Sequence, residues 1–361
     1  MAIYEKLRGI LDIHPSGAPE SKAFEEILRI LFTPEEAALA VYMNFSHKPV
    51  EKIASAAGIS RDDAYRMLES MAEKAIVSCR VKEGKHSYGL LPTIPGLFEF
   101  PLMRGGGAPI HERLGKLWGE YHKDGLGASF AGNPTPVARV VPVERAINAS
   151  VHVHPYEEVS TLINTVEYIA LAHCACRVST GICRHPKEVC LFFDAPARFL
   201  VERRYAREIS KEEAHGVLDQ AEEAGLVHTS NNSADRAGFI CNCCTCCCII
   251  LTCRTKLHLA HGFSTSAFQP KFDGTTCTGC RLCADERCPM GAIEIKDDVA
   301  VLNSEKCIGC GLCATTCPAN SIVLVRRSEP PDIPATLQEM GMKVLTEKGK
   351  LESYIQIMKQ E

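Results

Sequence analysis

The chain has 361 residues, 40 Lys and Arg against 44 Asp and Glu, and a formal charge of −4; it has room for two or three domains and no charge excess that would define a partner. Its apolar and charged fractions, 46% and 23%, are those of an ordinary soluble protein, and no run of residues approaches the length of a transmembrane helix. Twenty cysteines exceed what packing requires, and no basic segment followed by an apolar one stands at Met1, so the expected setting is a reducing cytoplasm where clustered cysteines serve metals and redox chemistry.

Residues 1–11 are amphipathic, and after a Pro/Gly turn at 14–19 a second helix is predicted with Phe24, Ile27, Leu28 and Leu31 on one face. Helices are then expected at 34–42 and at 50–57, the latter stopped by Gly58. A third is capped by Ser60-Arg61-Asp62-Asp63, with Met67, Leu68 and Met71 inward. Residues 76–91 read as a β-ribbon whose tip is Lys82-Glu83-Gly84-Lys85. This succession resembles a winged helix, and 1–95 is expected to form a helical, winged-helix-like domain.

Charge argues against the nucleic-acid role such a resemblance implies. From Pro34 to Pro92 eight bases (Lys48, Lys52, Arg61, Arg66, Lys74, Arg80, Lys82, Lys85) face eight acids (Glu35, Glu36, Glu51, Asp62, Asp63, Glu69, Glu73, Glu83). A DNA reader draws its non-specific affinity from a basic face. Here Asp62 and Asp63 head the helix that would meet the bases. Packing or dimerisation is the expected use, and Cys79 is read as a small buried hydrophobe.

Residues 96–160 form a Gly/Pro-rich connector, including Arg104-Gly105-Gly106-Gly107 and Gly132-Asn133-Pro134-Thr135-Pro136, with one helix at 110–122 that carries the sole tryptophan, Trp118. Neither glycine-rich nucleotide fingerprint surrounds these loops, so no nucleotide site is assigned.

The segment 161–270 is expected to be a mostly helical metal-binding domain. Its cysteines fall in two groups: Cys174, Cys176, Cys183 and Cys190, then Cys241, Cys243, Cys244, Cys246, Cys247 and Cys248, with Cys253 beyond. A helix between them begins at Ser210-x-x-Glu213 and ends at Gly225, and serves either as a spacer between ligand loops or as a packing element. Six thiols within eight residues exceed packing needs, and a cubane takes only four thiolates. The expectation is at least one further iron-sulfur cluster held by Cys174 or Cys176 with Cys183 and Cys190, closed by a thiolate from the second group. Two cubanes or a larger fused cluster fit the count as well, and zinc or a thiol-disulfide relay are the alternatives. Arg177 and Arg184 would offset cluster charge, and His173 is read as a hydrogen-bond donor to the site rather than a ligand.

The segment 271–330 holds two copies of one motif: Cys277-x-x-Cys280-x-x-Cys283 with Cys288-Pro289, and Cys307-x-x-Cys310-x-x-Cys313 with Cys317-Pro318. The cysteine before proline lies too far along to close the cluster of its own copy and serves the other. The expected sets are therefore Cys277, Cys280, Cys283 and Cys317 on one [4Fe-4S] cluster, and Cys307, Cys310, Cys313 and Cys288 on the other. Over 271–328 the sequence resembles a bacterial-type dicluster ferredoxin, which implies a pseudo-symmetric fold of two β-hairpins with helical turns, its strands at 292–295 and 321–324. The first copy has four residues, Ala284 to Arg287, where three are usual; its ligands should survive this more easily than its hydrogen bonding. Paired zinc knuckles are the competing reading.

The tail 331–361 is expected to be helical over 335–359, with Leu337, Met340, Val344 and Leu345 apolar, and to pack on its own domain. The layout as a whole, α+β and multidomain, resembles an iron-sulfur protein of anaerobic bacteria and archaea. That resemblance implies two [4Fe-4S] clusters, at least one more cluster and a redox partner protein, with self-association left open. Three functions follow as expectations: electron transfer, a redox-sensing winged-helix regulator, or a reductase with substrate at the middle cluster.

Overall fold

The computed structural model describes residues 2–105 and 109–359, so Gly106 and Gly107 of the glycine-rich loop lie outside the described residues. Helices α1 (Ala2–Leu11) and α2 (Lys22–Leu31) bury Tyr4, Leu7, Leu11, Phe24, Ile27, Leu28 and Leu31. Helix α3 (Pro34–Ala40) starts at a reciprocal capping box between Thr33 and Glu36. The Glu36 carboxylate also takes Lys74 Nζ at 2.6 Å, tying α3 to the turn that precedes the β-ribbon. Strand β1 (Lys48–Pro49) leads into α4 (Val50–Ala57), which ends at Gly58 with φ +68°, a left-handed position that favours glycine.

Helix α5 (Arg61–Glu73) is capped by Ser60, whose Oγ accepts from Asp63 N, and buries Ala64, Leu68, Met71 and Ala72, while Met67 is half-buried. Strands β2 (Val77–Lys82) and β3 (Lys85–Leu90) form the ribbon, and β1 adds to it in the order β1-β3-β2. Between this region and the next come α6 (Pro109–Tyr121), with Trp118 buried against Phe98 and Phe24, and α7 (Gly127–Ala131).

The middle region is organised on a sheet, which corrects the expectation of a mostly helical domain. In chain order its elements are β4 (Ala138–Val140), α8 (Val159–Thr165), β5 (Ile169–His173), α9 (Ala175–Thr180), β6 (Glu188–Phe193) and α10 (Asp194–Glu202). They continue with β7 (Arg207–Glu208), α11 (Lys211–Glu223), β8 (Val227–Asn231), β9 (Phe239–Cys243) and α12 (Ile249–Thr255). The strands pair antiparallel in the order β4-β8-β9-β6-β5-β7. Strands β5 and β6 are covered on both faces and read as short continuous apolar runs, so they lack the alternation that marks a half-buried strand. At α11 Ser210 caps Glu213 N, but the Glu213 carboxylate turns to Arg207 instead of closing the box.

The last part begins with β10 (Phe268–Phe272), β11 (Ile293–Lys296), β12 (Val299–Leu302) and β13 (Ile322–Arg326). Only β11–β12 is a hairpin; the second pair joins β10 to β13, the two ends of the segment, where two hairpins were expected. The tail forms two helices, α13 (Leu337–Glu347) and α14 (Leu351–Met358), broken at Gly349 with φ +66°. It reaches back to the amino-terminal helices: Lys348 Nζ donates to Pro15 O at 2.6 Å, Lys350 pairs with Asp12 at 2.7 Å, and Asn44 Nδ2 donates to Ile357 O. Leu337 stays exposed, while Met340, Val344 and Leu345 are buried.

Candidate metal centres

In both carboxyl-terminal loops the residue before the second cysteine is a glycine with positive φ, Gly279 at +63° and Gly309 at +70°. A Cβ there would lie 2.8 Å from Asp298 O and 2.1 Å from Phe268 O respectively, so neither loop tolerates a side chain and each is drawn tight around its thiols. Cys277, Cys280, Cys283 and Cys317 line one small cavity, and Cys288, Cys307, Cys310 and Cys313 line another. Each cavity therefore takes three thiols from one copy and the pre-proline thiol from the other.

Environment separates the two cavities. Cys280 is exposed, with Cys277 and Cys317 half-buried, whereas Cys307, Cys310 and Cys313 are all buried. Burial raises the Cys310 thiol to about 12, and the neighbouring Cys307 and Cys288 push in the same direction, as expected of thiols gathered where a cation-bearing cluster belongs. The extra residue of the first copy is absorbed in a wide π-type turn at Leu282–Arg287. That turn keeps the amide bond to the remote thiol, Ala292 N donating to Cys288 Sγ at 3.1 Å, the counterpart of Ser321 N on Cys317 Sγ. It also presents Arg287, whose Nη2 donates to Glu222 O at 2.6 Å and Nη1 to Glu223 O, docking the segment onto α11.

The middle cysteines divide into two groups other than those expected. Cys183, Cys244, Cys246 and Cys247 place their four Sγ atoms within 4.8 Å of one another, with Sγ–Sγ distances of 3.7 Å for Cys183–Cys244, 3.5 Å for Cys183–Cys246 and 3.6 Å for Cys246–Cys247. Thr180 Oγ1 donates to Cys247 Sγ at 3.0 Å. The Cys244 thiol is pulled down to about 4, first by the hydrogen bond of Cys247 and then by Cys246 and Arg177.

The remaining ligand candidates, Cys174, Cys176, Cys190, Cys241, Cys243 and Cys248, lie apart from these four; Cys174, Cys190, Cys243 and Cys248 are buried and Cys176 and Cys241 half-buried. Strand register explains three of them. Leu191 pairs with Ile240, so Cys190 on β6 stands opposite Cys241 on β9, and Cys243 two residues on shares their face. Cys174 and Cys248 precede α9 and α12, and Cys176 lies in the first turn of α9. Cys183 thus parts from Cys174, Cys176 and Cys190, because the loop after α9 carries it towards 244–247. Cys253 is fully buried and donates to Ile249 O within its own helix, outside both groups.

Arg177 sits between the groups with no exposed surface. Its Nη1 donates to Pro186 O and its Nη2 to Asn242 O. Burial opposes its charge, but Cys174, Cys244, Cys243 and Cys190 outweigh burial and hold it protonated. Arg184 is exposed, and the His173 ring packs 3.5 Å from the position of a Cβ on Gly105.

Two features carry almost no sequence signal. On the sheet face away from the thiols, His228 Nδ1 meets Asn242 Oδ1 at 2.5 Å and its Nε2 meets Glu222 at 3.4 Å, a buried chain that fixes β8 and β9; Asn242 inside the cysteine run is its only trace. Cys79 is buried as expected, yet it shares a pocket with Glu69 and His86, where Arg203 occupies the Glu69 carboxylate at 2.9 Å and so opposes a cation there.

Residues 269–328 match the family model described as a 4Fe-4S dicluster domain. The chain is 49% identical over 49 residues to an uncharacterized ferredoxin of Methanocaldococcus jannaschii, covering 12% of this chain and 30% of that protein. Over 48 residues it is 44% identical to a subunit of the ion-translocating oxidoreductase complex of Methanosarcina acetivorans, 13% of this chain and 18% of that one. A second uncharacterized ferredoxin of M. jannaschii is 43% identical over 42 residues, 12% and 28%. The chain spans less than a third of the length of these curated relatives. No solved structure matches. The carboxyl-terminal segment is a dicluster [4Fe-4S] ferredoxin module, and with the cysteine-rich middle the chain is a protein of multiple iron-sulfur clusters. Among the described residues no helix is long and apolar enough to cross a membrane.

Proposed function

We propose that the chain is an electron-transfer protein whose ferredoxin module relays electrons between a redox partner and metal centres of the middle region. The ligands are Cys277, Cys280, Cys283 and Cys317 for an outer [4Fe-4S] cluster, and Cys288, Cys307, Cys310 and Cys313 for an inner one. The observation that carries this reading is continuity of packing. Cys310, Ile308 and Leu312 belong to one buried apolar cluster with Cys243 and Cys248, so a continuous core runs from the inner site to the middle thiols. Val143 N donates to Cys310 O at 2.9 Å across the same contact. Exposed Cys280 then marks the end open to a partner, and the order runs from the outer cluster to the inner cluster to the middle centres. The similarity to a subunit of an ion-translocating oxidoreductase complex supports a protein partner. A reducing cytoplasm suits thiolates this exposed.

Rapid freeze-quench EPR after mixing with a low-potential reductant tests the order. The ferredoxin signals should rise before those of the middle centres, and Cys310→Ala should slow reduction of the middle at least about tenfold while sparing the outer cluster. Equal rates in the variant would refute the relay.

One observation favours a second reading, the redox-sensing regulator. Lys82 pairs with Lys85 across the ribbon and Arg80 stands two residues back, so three exposed cations share one face of what we read as a wing. Against it, Arg61 pairs with Glu51 and Arg66 with Asp63, which neutralises the helix that would face DNA. Retention of a DNA duplex at about 150 mM salt would support the regulator. The reductase reading called for a three-thiol site beside His173 or Arg177; the thiols that gather most closely number four, and the relay is retained.

A further inference from the structure

Cys183, Cys244, Cys246 and Cys247 stand closer together than a cubane allows. A [4Fe-4S] core places an iron at each of four corners and a thiolate outside each iron, which spreads the ligand sulfurs to about 6 Å from one another. Here all four Sγ atoms lie within 4.8 Å of one another, and three pairs stand at 3.5, 3.6 and 3.7 Å. Four sulfurs at the corners of a tetrahedron with edges of about 3.8 Å lie about 2.3 Å from its centre, the length of a Zn–S bond. The space between these thiols fits one ion. A disulfide is far shorter, about 2.05 Å, and all four cysteines are free.

The ferredoxin thiols supply the contrast. They stand around cavities shared with apolar side chains, Ile295 and Ile322 at the outer one and Ile293 and Ile308 at the inner one. Among the described residues no three of them gather within the same 4.8 Å. One chain thus holds wide thiol sets, as a cubane requires, and one tight set.

The tight set comes from two places that only the fold joins. Cys244, Cys246 and Cys247 sit on the turn between β9 and α12, closed by Cys248 N donating to Cys244 O at 3.1 Å. Cys183 comes from the loop between α9 and β6, where residues 181–184 belong to no helix or strand and Ile182 is 70% exposed. Its apolar neighbour therefore does not pin the loop. Thr180 Oγ1 donates to Cys247 Sγ at 3.0 Å and Lys256 Nζ donates to Cys246 O at 2.7 Å, so a hydroxyl and a cation face a site that four thiolates would leave negative around a dication.

We propose that Cys183, Cys244, Cys246 and Cys247 hold a single Zn²⁺ as a closed tetrathiolate site, which clips the loop before β6 to the turn before α12. Four protein ligands leave no open position, so the ion is structural. Ferrous iron also accepts four thiolates, and zinc is assigned because it outranks Fe²⁺ in affinity at a common site. The site stands apart from the electron relay, whose middle centre then falls to the remaining thiols, among them Cys243 and Cys248, which share a buried core with Cys310.

The test uses the full chain purified without oxygen. Zinc, iron and acid-labile sulfide are counted in the parent and in Cys183→Ser and Cys246→Ser, the two half-buried members, with the ferredoxin EPR signals as a check on folding. Zinc-edge X-ray absorption reads the ion itself and is blind to iron. The expected result is about one zinc per chain with four sulfurs at about 2.3 Å, and in both variants loss of the zinc or of one sulfur from its shell, at unchanged iron. Trypsin should also cut after exposed Arg184 at least about tenfold faster in the variants, and equal cutting would overturn the clip. No zinc in the parent, with about four irons lost in each variant, would make the group a cubane, and loss of about one iron would make it an iron site; either overturns the proposal. Zinc with an unchanged shell in both variants, or no metal lost from them at all, overturns it too. A total of about eight irons beside one such zinc would instead remove the middle centre of the relay and leave the zinc site standing.

Discussion

Neighbouring thiols lower Cys174 and Cys244 most, and the one guanidinium of Arg177 adds to the lowering in both middle groups. Cluster potential follows net charge and hydrogen bonding. Arg177→Met should therefore lower the midpoint of a middle centre by at least about 60 mV, one decade in a one-electron equilibrium, with Arg177→Lys intermediate. A redox titration followed by EPR reads it, and an unchanged midpoint would show that the guanidinium is only structural. His122 makes a different prediction. It is buried, its Nε2 meets Thr252 Oγ1 at 3.2 Å on α12, and burial, then Lys256 and Lys123, lowers its pKa to about 4. In the unfolded chain it would titrate near about 6.5, so below that pH the unfolded state binds the proton first. Stability is then full above about pH 6.5 and falls as pH drops towards 4, by about 2 kcal/mol between pH 7 and pH 5. Urea unfolding should show that loss in the parent and a flatter profile in His122→Gln.

Among the elements, the contact of α5 with the end of α10 is built on Arg203. Its guanidinium takes Glu69 at 2.9 Å and Glu73 at 2.7 Å, and Tyr205 OH donates to Glu73 O. This joins the amino-terminal ribbon region to the strand that carries Cys190, since α10 follows β6 directly. Arg203→Met takes the guanidinium from the half-buried Glu69, leaving it Tyr88 OH and His86 Nδ1, and should cost about 2 kcal/mol, measured as a shift in the urea midpoint. Two helices here were legible because their caps are local: Ser60 and Ser210 each bond an amide three residues on. Strands β5 and β6 were not, because burial on both faces erases the alternation. The hairpin pairing of the ferredoxin segment misled for a related reason, since β10 and β13 lie at opposite ends of it and leave no local turn signal.

Over the whole molecule, the ferredoxin cavities follow from spacing alone, because cluster geometry dictates which thiols a tight loop offers and which must come from the other copy. The middle thiols did not partition that way. Which of them meet is decided by the register of β6 on β9 and by the course of the loop after α9, long-range facts that spacing along the chain does not encode. The same holds for the tail, whose lysines find Pro15 and Asp12 at the far end of the chain. The proposed electron relay requires iron-sulfur centres in the middle region fed by the ferredoxin module. Iron and acid-labile sulfide per chain, on protein purified without oxygen and examined by EPR in the reduced state, test that requirement most directly. The expected result is about twelve irons or more, with a matching sulfide content and signals beyond those of two interacting cubanes. About eight irons, with two ferredoxin signals and nothing further, would contradict it.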